Sequence, residues 1–147
     1  ETTTKQEVKV RTSSDIDVNH RALIRKNFQK YKTEKRTALV IGNGKYPEEF
    51  SLKNPINDSR AIRDALKKVG FEVIYGEDLT KDKFLELLDN FQDKLIKNGG
   101  VSLFYYAGHG MEIDGINYLV PIDAKFNEFK KIKYYSISLN DVLGRMN

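Results

Sequence analysis

A chain of 147 residues, 39% hydrophobic and 31% charged, has the length and composition of one globular domain with a sizeable core, and no apolar run approaches the ~20 residues that span a bilayer. It has no cysteine, which excludes disulfides and cysteine-based metal sites. The net charge of +4 belongs to the beginning of the chain: residues 1–36 hold ten Lys and Arg against five Asp and Glu, whereas residues 37–147 hold fifteen against sixteen. No basic folded face therefore argues for a nucleic-acid partner.

Residues 1–36 read as a polar, basic leader. Glu1 to Thr4 show no signal-peptide pattern, which leaves open a signal already removed, so localisation is not fixed. Residues 21–32, RALIRKNFQKYK, place Leu23, Ile24, Phe28 and Tyr31 at helical spacing, as in a short amphipathic helix that packs on a neighbour.

From Thr37 the chain becomes regular. TALVIG is a short buried strand, and NGKYPEEFSLKNP a long loop with two prolines. INDSRAIRDALKKVG is an amphipathic helix: Asn57 or Asp58 caps it, Ile62, Ala65, Leu66 and Val69 face inward, and Gly70 ends it. FEVIY is a second strand. Thr80 caps a second helix, with Phe84, Leu87, Leu88, Phe91 and Leu95 on one face and the pair Gly99-Gly100 as its stop. VSLFYYAG is the third and most apolar strand, again a buried one. MEIDGINYLVPID reads as a hairpin turning at Asp114-Gly115, and SLNDVLGRMN as a helix with Ser138 and Asp141 in a capping box.

Strand and helix alternate, which predicts an α/β fold: a doubly wound, mainly parallel sheet with helices on both faces. In the order 2-1-3 the switch point lies between the first and third strands, and ligands bind there, outside the carboxyl ends. Two candidate motifs sit at that point. Gly42-Asn43-Gly44 follows the first strand, but Pro47 stands where a dinucleotide motif needs its third glycine. His109, between Gly108 and Gly110, follows the third strand. Glycine on both sides allows unusual backbone angles and a close approach by substrate, and Gly110 offers an unobstructed N–H of the kind an oxyanion hole needs. On local chemistry His109 is either a structural histidine or, the reading its glycine neighbours favour, a general base; it is a poor metal ligand, since no second histidine is near and Glu112 and Asp114 fall in the hairpin. Asp58 is either a helix cap or, with Asn57 capping, a carboxylate free to hold a Lys or Arg side chain.

TALVIGNGKY, LKNPINDSRAIRDALKKVGFEV and LFYYAGHGMEIDGINYLVPIDA resemble the catalytic domain of caspase-like cysteine peptidases, in particular the bacterial caspase-like and paracaspase–metacaspase branch. The resemblance covers about residues 36–146 and makes residues 37–147 the His-bearing part of that domain. It implies a Cys–His dyad in which His109 is the histidine, Gly110 supplies an oxyanion N–H, and Asp58 gives a preference for Arg or Lys at P1. It implies no metal and no cofactor; calcium activates some metacaspases, but no cluster of acids argues for it here.

In that family the nucleophilic cysteine follows the histidine by roughly 50 residues. Counting on from His109 passes Asn147, and the fourth strand is due where the chain stops. The expectation is therefore a sheet incomplete without the segment after residue 147, in a split, proteolysed or truncated peptidase. Its partners are a companion cysteine-bearing fragment and a peptide or protein substrate with a basic P1 residue. The chain alone is then inactive. The other reading is a catalytically inactive caspase-fold interaction module.

Overall fold

The computed structural model describes residues 23, 25–27, 29 and 32–147. The chain divides into two units, residues 1–34 and 35–147. In the first, the described residues between 23 and 33 are helical and Leu23 is exposed. Ile24, Phe28 and Tyr31, expected on the apolar face of that helix, lie outside the described residues.

The second unit is built on a parallel sheet. Strands β1 (Arg36–Gly42), β2 (Glu72–Glu77) and β3 (Val101–Ala107) form the parallel sheet that the alternating pattern predicts, in the order β2-β1-β3 on which the switch-point argument depends. The connections are helices α1 (Asn54–Lys68) and α2 (Lys81–Asn98), which pack on opposite faces. Thr37 through Ile41 of the central strand are wholly buried. Side chains alternate across a strand, so Leu39 and Ile41 meet Phe84, Leu88 and Phe91 of α2 in one apolar core, while Gly42 lies under Ser59 of α1.

Turn chemistry closes these elements where the sequence places it. Gly70 (φ +89°) ends α1, and Thr80 caps α2 by accepting from the Lys83 amide. Gly99 and Gly100, at φ +60° and +77°, stop α2. A second, antiparallel sheet follows in the order β4-β5-β6: β4 (Gly110–Ile113), β5 (Ile116–Leu119) and β6 (Ile137–Ser138). Asp114 and Gly115, both at positive φ, form the β4–β5 turn. Helix α3 (Leu139–Met146) begins as expected, with Ser138 Oγ accepting from Asp141 N at 3.0 Å.

Three expectations are corrected. Helix α1 starts at Asn54 with Pro55 in its first turn and no side-chain cap, so Asn57 and Asp58 lie inside it rather than at its start. Its inner face runs through Pro55, Ser59, Ile62 and Leu66, leaving Ala65 and Val69 exposed. The close approach of Ser59 to Gly42 sets that rotation: a Cβ on Gly42 would overlap Ser59 Oγ and crowd the Pro55 carbonyl. The third correction is β3, the most apolar strand. Among the described residues it has one neighbour, β1, and none of its residues is fully buried.

Candidate active site

The carboxyl ends of β1 and β3 carry the site. Gly42 pairs with Ala107, two residues before His109, and lies under Ser59, the residue after Asp58. Both candidate residues thus stand at the same end of the sheet, as the switch-point argument requires. The Gly42-Asn43-Gly44 turn is not a phosphate site. The amides of Gly44 and Lys45 both donate to Asp78 Oδ1, at 2.9 and 2.8 Å, so a carboxylate already occupies the place a phosphate would need.

His109 is held through its backbone and its ring. Its amide donates to the Tyr46 hydroxyl at 3.0 Å. Its carbonyl accepts from the Tyr106 hydroxyl at 2.7 Å and from Val120 N at 3.0 Å. Ring Nε2 lies 2.6 Å from the Phe50 carbonyl oxygen. A carbonyl only accepts, so Nε2 carries the hydrogen and Nδ1 of the neutral ring is left with its lone pair. Around the ring are the edges or faces of Tyr46 (centroids 4.4 Å apart), Phe126 (5.6 Å) and Phe50 (6.5 Å), with Phe50 stacked on Phe126 at 4.3 Å. Phe50 and Phe126 also line a cleft of about 490 Å³ whose wall carries Glu48, Glu49 and Asp123.

The Gly110 amide follows from the ladder. Gly110 faces Leu119, and Val120 N bonds back to His109 O. Bonded and non-bonded pairs alternate in an antiparallel ladder, so Gly110–Leu119 is the non-bonded pair and the Gly110 N–H points away from β5. It lies on the outer edge of β4, at an exposed residue, and a Cβ there would meet only Tyr118 O at 3.6 Å.

Burial pushes the Tyr46 and Tyr106 hydroxyl pKa values up, and at Tyr106 the neighbouring Tyr46 hydroxyl adds to the rise. Both are therefore protonated donors at neutral pH. Asn43 is buried, with Oδ1 accepting from Leu79 N at 2.9 Å and Nδ2 unpartnered.

Asp58 lies in the second turn of α1, exposed, and its carboxylate makes no hydrogen bond or ion pair to another described residue. His109 and Gly110 are thus brought together at one mouth, and Asp58 shares that end of the sheet without touching them. Sequence reasoning missed Tyr46, Phe50, Tyr106 and Phe126. One signal was available: Tyr46 is an aromatic residue inside a polar loop, and the structure buries it, with only 3% of its surface exposed.

The model of the caspase domain, a peptidase family, matches residues 35–139. This chain belongs to the caspase-domain family. It is 38% identical over 89 residues to the human mucosa-associated lymphoid tissue lymphoma translocation protein 1, and equally to its mouse homologue, covering 60% of this chain and 11% of each relative. The chain thus spans about a tenth of the length of the curated relatives it matches. These matches make it a caspase-like, paracaspase-type peptidase domain, and the parallel α/β sheet is the fold the resemblance implies.

Proposed function

We propose that this chain is the His-bearing part of a cysteine endopeptidase that cleaves peptides after Arg or Lys. The observation that carries the reading is the His109 ring: its Nε2–H is committed to the Phe50 carbonyl, which leaves Nδ1 as a base. The chain has no cysteine, so the nucleophile comes from a companion segment, and the edge of β3 that no described strand pairs is where its strand adds to the sheet.

The thiol proton passes to His109 Nδ1 as the sulfur adds to the scissile carbonyl carbon. The Gly110 N–H donates to the developing oxyanion, a contribution of ~10²–10³ in rate for one such donor. The imidazolium returns its proton to the leaving amine as the C–N bond breaks, and water then hydrolyses the thioester. Asp58 holds the P1 guanidinium or ammonium by a charge-assisted hydrogen bond. This chemistry needs no metal or cofactor.

Intact-mass spectrometry of material purified with this chain finds the companion, if it is a separate fragment, by its cysteine. The two together are expected to cleave an Arg-P1 fluorogenic peptide, His109→Ala to abolish that cleavage, and Asp58→Ala to lower kcat/KM by about two orders of magnitude. Undiminished cleavage after Arg by Asp58→Ala rejects the specificity. A companion that binds β3 without any cleavage favours the interaction-module reading instead.

A further inference from the structure

Where His109 faces Val120, one rung of the β4–β5 ladder is made by a side chain. Val120 N donates to His109 O, but the return bond from His109 N to Val120 O is absent. The Tyr46 hydroxyl stands in its place, accepting from His109 N at 3.0 Å and donating to Val120 O at 2.7 Å. The Tyr106 hydroxyl lies beside it at 3.1 Å and donates to His109 O. Gly108 makes room for both. A Cβ there would sit 2.5 Å from the Tyr106 oxygen and 2.7 Å from the Tyr46 oxygen, closer than carbon approaches oxygen.

We propose that Tyr46 is the positioning residue for the His109 base, and that the first glycine of Gly-His-Gly serves to admit its hydroxyl. The inference rests on the reading of His109 as the base. Tyr46 acts in two ways. Its hydroxyl fixes the His109 backbone, and with it the origin of the side chain. Its ring, edge-on at 4.4 Å, limits the imidazole to the orientation in which Nε2 meets Phe50 O. Rotation of the ring away from that carbonyl removes the preference for the Nε2–H tautomer, and Nδ1 is then protonated in part of the population.

The two hydroxyls are not equivalent, because each has one proton. His109 O keeps Val120 N as a donor if the Tyr106 hydroxyl is lost. His109 N has no second acceptor if the Tyr46 hydroxyl is lost. The test compares Tyr46→Phe with Tyr106→Phe in the ¹⁵N-labelled chain, by amide exchange at His109 and by the imidazole ¹⁵N shifts. Tyr46→Phe is expected to speed His109 amide exchange about tenfold, the change for one hydrogen bond lost from a part-buried donor, and to mix the two tautomers. Tyr106→Phe is expected to do much less of either. Tyr46→Phe within twofold of wild type with the tautomer unchanged, or equal effects from both variants, overturns the proposal. Should Tyr46→Phe fail to fold, 3,5-difluorotyrosine at position 46 keeps the ring and both bonds but weakens the oxygen as an acceptor, and an unchanged His109 amide then overturns it. In the chain completed by its cysteine-bearing companion, Tyr46→Phe is expected to lower kcat about tenfold with KM unchanged. Full activity in His109→Ala would instead reject the base, whatever Tyr46 does to the amide and tautomer.

Discussion

Two regions of this domain are held by different physics. Around Leu39 and Ile41 the contacts are apolar: Phe84, Leu88 and Phe91 of α2 are fully buried against the central strand, with Phe104 and Tyr106 of β3 alongside. Around His109 the contacts are directional: two tyrosine hydroxyls, a peptide amide and a carbonyl oxygen hold one residue, from positions 63 and 59 residues away for Tyr46 and Phe50. Apolar packing adds up over area and tolerates small shifts, whereas a hydrogen bond is lost within a few tenths of an ångström. The sheet therefore supplies stability and the loops supply geometry. Damage to one should be separable from damage to the other.

The largest expected effect is in the sheet. Phe91 is fully buried between α2 and β1, and Phe91→Ala removes its contacts and leaves a cavity, a loss of about 3–5 kcal/mol. Urea denaturation should show that loss, while the ¹⁵N shifts of His109 in the remaining folded fraction stay as in wild type. Altered His109 shifts would show that the core and the site are one unit. Gly108→Ala is the converse. Its Cβ forces the two hydroxyls apart, for about 1–3 kcal/mol of overpacking, and should disturb the His109 amide more than a core variant of equal instability does.

The same contrast explains what the sequence makes legible. Periodicity reports apolar faces, so the strands and both crossover helices follow from it, and Gly and Thr at the helix ends punctuate them, whereas the 2-1-3 order is supplied by the structure. It fails where a close approach decides. The face of α1 is read through Ile62, Ala65, Leu66 and Val69, but Ser59 packing on Gly42 turns the helix so that Ala65 and Val69 meet solvent. β3 is apolar enough for full burial, but among the described residues only β1 pairs with it, as the expectation of an incomplete sheet implies. At the site, two flanking glycines single out His109, yet Gly108 serves the tyrosines as much as the histidine. Tyr46 and Phe50 lie in a loop with no period, and their partners are some sixty residues away.

The smallest expected effect lies outside both regions, on the helix that carries Asp58. Arg60 forms a two-pronged ion pair with Glu77, whose second contact is 2.8 Å from the guanidinium to Oε2. The Tyr75 hydroxyl donates to the same carboxylate at 2.6 Å. The Arg60 bond, opposed by partial burial and helped by Tyr75, holds the Glu77 pKa below its usual value. A carboxylate with a depressed folded-state pKa contributes stability above its ordinary value of about 4.3, and that contribution fades as pH falls through the folded value. Glu77→Gln should therefore lower Tm by about 1–3 °C at pH 7 in low salt, with the gap closing below about pH 4. Half-molar salt should narrow the gap as well, since Arg60 is solvent-exposed, whereas the Phe91→Ala deficit should persist under both conditions. A Glu77→Gln deficit that survives at pH 3 would mean that the carboxylate works through Tyr75 and Ser59, which meet at 3.0 Å beneath the helix, as a neutral hydrogen-bond partner and not as a charge.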